Sequence, residues 1–177
     1  MGRLDADAWE QLVTKALPEV CRKDSLRHWS QFWNYLSEAL GYVLLADRGY
    51  TKIRFIDQEK GETPDLLGES GVSRGIVEVK TVNPSEVDVR TDRPGPPILL
   101  ELDHGLSDKL KGKLEKTLDA ARAQLRQFGE PADKRIALLV VNLDRTYKFG
   151  VQNYSEIKEF VASHQAADVE LVHQVIS

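Results

Sequence analysis

The sequence predicts an α/β fold, a mixed central sheet flanked by helices, with an α-β-β-β-α-β core over about residues 25–143. Three observations predict it. Apolar residues recur at helical spacing in two separate segments, Ser25 to Leu40 and Ser107 to Phe128. Between them stand short β-prone stretches divided by glycine- and serine-rich turn chemistry. After them, Arg135 to Leu143 is the most continuous apolar run in the chain and reads as a strand buried on both faces.

Taken in order, Ala6 to Leu17 reads as an amphipathic helix stopped near Pro18. The helix from Ser25 carries Trp29, Phe32, Trp33, Leu36 and Leu40 as its apolar stripe, with Gly41 placed to end it. Tyr42 to Leu45 and Thr51 to Ile56 follow as strand candidates, and then a hairpin whose turn centres on Gly71-Val72. From Asn83 to Gly105, four prolines and Gly95 prevent an extended helix. A loop of that length is usually functional or disordered, and here a lid or substrate-contacting arm is expected, carrying Arg90 and Arg93. Within it, Ile98 to Leu102 offers an extra strand or a homodimer contact. The long helix Ser107 to Phe128 buries Leu110, Leu114, Leu118, Ala121 and Leu125. Ser155 to Ser163 reads as a short helix capped by Ser155, and Val169 to Ile176 as a last strand. The first helix and this final pair are expected to decorate the core of a single domain spanning residues 1–177.

Composition excludes several classes. With 41% hydrophobic and 29% charged residues and no low-complexity tract, the chain reads as a soluble globular protein. No apolar run approaches the roughly 18 residues of a membrane span, and Met1 to Asp7 lacks the apolar core of a signal peptide, so a cytoplasmic protein without membrane contact is expected. A lone Cys21 excludes an internal disulfide and a cysteine-rich zinc site, and the four histidines show no metal-ligand spacing.

The chemistry concentrates at Pro64-Asp65 and, 13 residues after the aspartate, Glu78-Val79-Lys80. With the turn at Gly71-Val72, Asp65 falls directly across the ladder from Glu78, where antiparallel partners stand about 4.5–5.5 Å apart. Strand alternation then puts Ile76, Glu78 and Lys80 on one face, with Lys80 roughly 7 Å along from Glu78. Two carboxylates so placed suit Mg²⁺, which takes one or two carboxylates, several waters and a substrate's phosphate oxygens. A lysine beside such a metal can orient or help deprotonate a water, or contact the phosphate. The same five residues also fit a salt-bridged surface hairpin.

On Pro64-Asp65, Glu78-Val79-Lys80, the element order, and Ala121-Arg122-Ala123-Gln124-Leu125 in the following helix, the chain resembles the PD-(D/E)XK nuclease superfamily, the restriction-endonuclease-like fold. The resemblance implies a metal-dependent nuclease, a hydrolase of phosphodiester bonds in nucleic acid and foremost in DNA. It makes Asp65 and Glu78 ligands of Mg²⁺ or Mn²⁺ together with the Val79 backbone carbonyl, and Lys80 the catalytic lysine. Many members carry a glutamine or a basic residue facing the active site from the second core helix, the stretch that holds Gln124. Members often add a glutamate from the first core helix, and the acid in that stretch is Glu38. On a helical wheel Glu38 falls opposite the aromatic stripe beside Gln31 and Asn34, a face that borders a cleft or meets water.

The net charge of −4 is not that of a dedicated nucleic-acid binder, and local distribution matters more. Lys109, Lys113 and Lys116 fall on the side of their helix away from the leucines and form a stripe that either follows a phosphate backbone or is an ordinary solvated face. Two other classes fit the same residues. One is a catalytically silent nuclease-like fold used for nucleic-acid binding or assembly, and the other an unrelated α/β binding module matching by chance.

Overall fold

The computed structural model describes residues 4–21, 25–56, 63–82, 106, 108–142 and 151–176. Their elements are helices α1 (Ala6–Cys21) and α2 (Ser25–Asp47), strands β1 (Thr51–Phe55), β2 (Leu66–Ser70) and β3 (Ser73–Val82), helix α3 (Asp108–Phe128), strand β4 (Lys134–Asn142), helix α4 (Val151–Ser163) and strand β5 (Glu170–Ile176). The strands form one five-stranded mixed sheet in chain order. β1, β2 and β3 run antiparallel, while β3, β4 and β5 run parallel and are joined by α3 and α4. The proposed arm from Asn83 to Gly105, with Arg90, Arg93 and Ile98 to Leu102, lies outside the described residues.

Each face of the sheet has its own core. Leu114, Leu118, Ala121 and Leu125 of α3 and Ile157 and Val161 of α4 pack against Leu67, Ile76, Ala137, Leu139 and Val141. On the other face Ala8 of α1 and Tyr42 and Leu45 of α2 pack against Leu66, Val77, Ile136, Leu138 and Val140. β4 supplies both layers and every residue from Ile136 to Val141 is buried, as its continuous apolar run requires. The final helix and strand are not decorations. β5 pairs with β4 through seven register positions, and Val169 and Leu171 join the core. α4 begins at Val151, so Ser155 is inside it and not its cap.

Helix α2 departs most from the sequence reading. It does not stop at Gly41, and Tyr42 to Leu45 is helical. The three strands after it are β1, β2 and β3, so the α-β-β-β-α-β order holds with a different first strand. The helix ends at Gly49, whose φ of 80° only glycine adopts easily, with the N–H groups of Arg48 and Gly49 closing on the Leu45 and Ala46 carbonyls. Gly41 serves a different purpose. A Cβ there would meet Leu66 at 2.7 Å and Val79 at 2.9 Å, so its bareness lets α2 lie directly on β2 and β3. Ser37, fully buried one turn earlier, continues this line of small residues, whereas Phe32, Trp33 and Leu36 remain partly exposed.

Helix α1 runs through Pro18 to Cys21 instead of stopping near it. Asp5 ties it down at the other end: its carboxylate accepts the Ala8 N–H at 2.8 Å and the Tyr42 hydroxyl at 2.9 Å. No described helix is long and apolar enough to cross a membrane.

The close approach at Gly41 makes a prediction. Alanine is the better helix former by about 1 kcal/mol, yet Gly41→Ala should lower stability, because an added methyl overpacks a contact of this kind at a cost of about 1–3 kcal/mol. Thermal unfolding checks it. A melting temperature that rises would mean that propensity outweighs the contact.

Candidate active site

The site begins where the sheet forks. β2 pairs with β3 from Ser70↔Ser73 to Leu66↔Val77, around a two-residue turn whose first central residue, Gly71, has φ 59°. β3 continues to Val82, paired through this stretch with β4 on its other side. At the fork the Asp65 N–H donates to the Val77 carbonyl at 3.0 Å, and the Asp65 carbonyl accepts the Ile56 N–H at 2.8 Å. Its carboxylate Oδ2 accepts the Val79 N–H at 2.7 Å. The register of the pairs around it places Asp65 across from Glu78, as expected from the turn.

Glu78 and Lys80 point to the face covered by α3. Glu78 is 2% exposed and Asp65 8%, which removes the surface-hairpin reading. Lys80 Nζ stands 2.5 Å from Glu78 Oε1 and donates to Gln124 Oε1 at 3.3 Å. Gln124 in turn donates its Nε2 to the Thr63 carbonyl at 2.6 Å. This amide therefore holds the catalytic-lysine candidate with one end and the Thr63-Pro64-Asp65 segment with the other. Glu78 Oε2 is buried and has no hydrogen-bond partner among the described residues.

These groups line a cleft of about 530 Å³ together with Glu38, Gln31, Asn34 and Tyr35 of α2, and Lys15 of α1. Glu38 thus borders the cleft and not open water. Burial, then the Asp65 charge, push its carboxyl up to about 7, opposed by Lys15. The Glu78 carboxyl is raised as well, first by burial, next by Asp65, and Lys80 at 2.5 Å only partly offsets this. Three carboxylates against two lysines crowd one partly dry place, which leaves a surplus of negative charge. Lys15 was not foreseen. Its helix had been read as decoration, and the available sign was its place on the flank of the buried Leu12 and Ala16.

Of the lysine stripe, Lys113 and Lys116 are exposed on α3 and do not line the cleft, and the Lys109 side chain lies outside the described residues. Lys113 stands 11 residues before Gln124, which is about 16 Å along the helix and within about 20° of the same face. Lys116 is turned some 80° away. Arg122 of the same helix is used structurally, donating to the His164 carbonyl and pairing with Asp119.

No family model, curated protein or solved structure matches the chain. Among the described residues no group of three or more His, Cys, Asp or Glu side chains is arranged to hold a metal ion. A two-carboxylate set is a different case, because Mg²⁺ retains several waters and takes few protein ligands. Asp65 and Glu78 fit it, with Glu78 Oε2 buried and unpartnered and the Val79 N–H and carbonyl edge turned into the fork.

The crowding gives a pH prediction. A carboxyl raised from 4.5 to about 7 on folding makes its full contribution below about pH 4.5 and loses it as pH rises through 7. At about 1.4 kcal/mol per unit, discounted for partial exposure, the loss is on the order of 2 kcal/mol. Without divalent ions the melting temperature should fall by about 4–8 °C between pH 5 and 8. The fall should be smaller in Glu38→Gln. Equal falls in wild type and variant would show that Glu38 titrates normally.

Proposed function

We propose that this chain is a metal-dependent phosphodiesterase acting on nucleic acid, foremost DNA, of the PD-(D/E)XK nuclease kind with its restriction-endonuclease-like arrangement. The observation that carries the reading is the buried trio at the fork: Asp65 and Glu78 facing each other, with Lys80 held between Glu78 and Gln124. The five-stranded sheet with helices on both faces agrees with the arrangement.

Asp65 and Glu78 are the residues that would hold Mg²⁺ or Mn²⁺, with the Val79 carbonyl as a third ligand. A divalent ion bound there supplies a nucleophilic water at neutral pH and positive charge for the phosphate oxygens. The protein's own groups prepare the place. Burial keeps Asp65 and Glu78 in a low-dielectric site where charge interactions are strong. Lys80 presents an ammonium beside Glu78, where it can orient a water or neutralise charge that builds on the phosphate. Gln124 fixes that ammonium and the Asp65 segment in one frame, so it is a positioning residue. Glu38 adds to the acidity of the cleft.

The test is a panel of labelled single-stranded, duplex and branched DNA and RNA incubated with Mg²⁺, Mn²⁺ or chelator. Wild type should cleave with metal alone. Asp65→Ala, Glu78→Ala and Lys80→Ala should each lower turnover by orders of magnitude, and Gln124→Ala by about 10–100-fold, in the manner of groups that orient ligands. Millimolar Mn²⁺ should raise the melting temperature, because an ion bound by the folded state alone stabilises it, and Asp65→Asn should remove the rise. A wild type that cuts nothing on the panel and shows no thermal response to either ion would reject the reading.

A further inference from the structure

The cleft has a second wall, apart from Asp65, Glu78 and Lys80. α2 turns Gln31, Asn34, Tyr35 and Glu38 into it, a spacing that sets all four on one helical face. Glu38 adjoins the acidic centre, and Gln31 lies about 10 Å farther along the axis. Lys15 of α1 completes the wall, its Nζ 5.5 Å from the centre of the Phe55 ring. Beside the Glu38 carboxylate, the wall carries two carboxamides, one phenol ring and a single cation.

That inventory does not suit a surface that grips a phosphate backbone, where cations carry the affinity. It suits the edge and face of an unpaired base. Carboxamides match base edges in both directions, and an aromatic ring offers a stacking surface. In an intact duplex the carboxamides can still meet groove edges, but the faces are stacked, so the Tyr35 ring would have no base to stack on. The cleft volume of about 530 Å³ lies in the range that encloses one small ligand, enough for a nucleotide.

We infer that Lys15, Gln31, Asn34 and Tyr35 form a nucleotide subsite beside the acidic centre, and that the substrate enters as an unpaired strand and not as intact duplex. The inference rests on the phosphodiesterase reading for the role of the acidic centre, while the subsite has its own readout.

The experiment measures binding without turnover, by fluorescence anisotropy of a labelled mixed-sequence oligonucleotide, single-stranded or as a blunt duplex, in chelator and in Ca²⁺. The full chain should bind the single strand at least about tenfold more tightly than the duplex. Tyr35→Ala should weaken single-strand binding by about five- to a hundredfold, the range for loss of one stacked base, and Tyr35→Phe should retain most of it. Gln31→Ala combined with Asn34→Ala should also weaken it, each variant first shown to be folded by its melting curve. Equal affinity for both forms, no binding to either, or single-strand affinity that is unchanged in both the Tyr35→Ala and the amide variants would overturn the subsite. Absence of cleavage with Mg²⁺ or Mn²⁺ in a protein that still prefers single strands would instead reject only the phosphodiesterase reading.

Discussion

β2 leaves β3 before β3 is finished, and the hydrogen bond from the Val79 N–H to Asp65 Oδ2 spans the gap at 2.7 Å. A backbone donor at a sheet fork needs a partner, and a carboxylate makes a strong one. The bond fixes Asp65 opposite Glu78, and the Asp65 main chain extends the hold to Val77 on one side and Ile56 on the other. Everything else in the cleft is arranged around this point. Gln124 braces the segment from above through the Thr63 carbonyl, and α2 closes the other side through its contact at Gly41.

The arrangement works against stability. Burial and the Asp65 charge raise the Glu38 and Glu78 carboxyls, which are held at a cost, and an unpartnered Glu78 oxygen adds to it. The fold carries this strain beside its most buried strand: Glu78 neighbours Ala137 and Lys80 neighbours Leu139 on β4, whose residues from Ile136 to Val141 are no more than 2% exposed. In such a cleft, supported by a rigid strand, a cation would be stabilising. A structural ion pair would gain nothing from a third carboxylate at Glu38.

What was legible in the sequence follows a clear division. The hairpin register could be read, because a two-residue turn and the period of two fix every partner once Gly71 is placed. The strand β4 and the buried stripe of α3 could be read from apolar periodicity. Gly41 misled, because glycine serves both to end helices and to admit close packing, and only the distance to Leu66 and Val79 tells the two apart. The aromatic stripe of α2 misled for a related reason. Bulk marks apolar surface, yet the line nearest the sheet runs through the small Ser37 and Gly41, and Glu38 follows them to the cleft. For Lys15 the sequence offered only its flank beside the apolar Leu12 and Ala16, which shows that α1 packs but not on which helix.

The most direct measurement is calorimetric titration of the metal-free protein with Mn²⁺ near pH 7, in two buffers of different ionisation enthalpy, so that protons released on binding are counted. Carboxyls that burial in the cleft keeps protonated must lose protons when a cation takes their oxygens. One ion bound with proton release at pH 7, declining as the pH is raised above 8, is the predicted result. Binding with no proton release, or no binding heat in either buffer, would contradict a cation site built on Asp65 and Glu78.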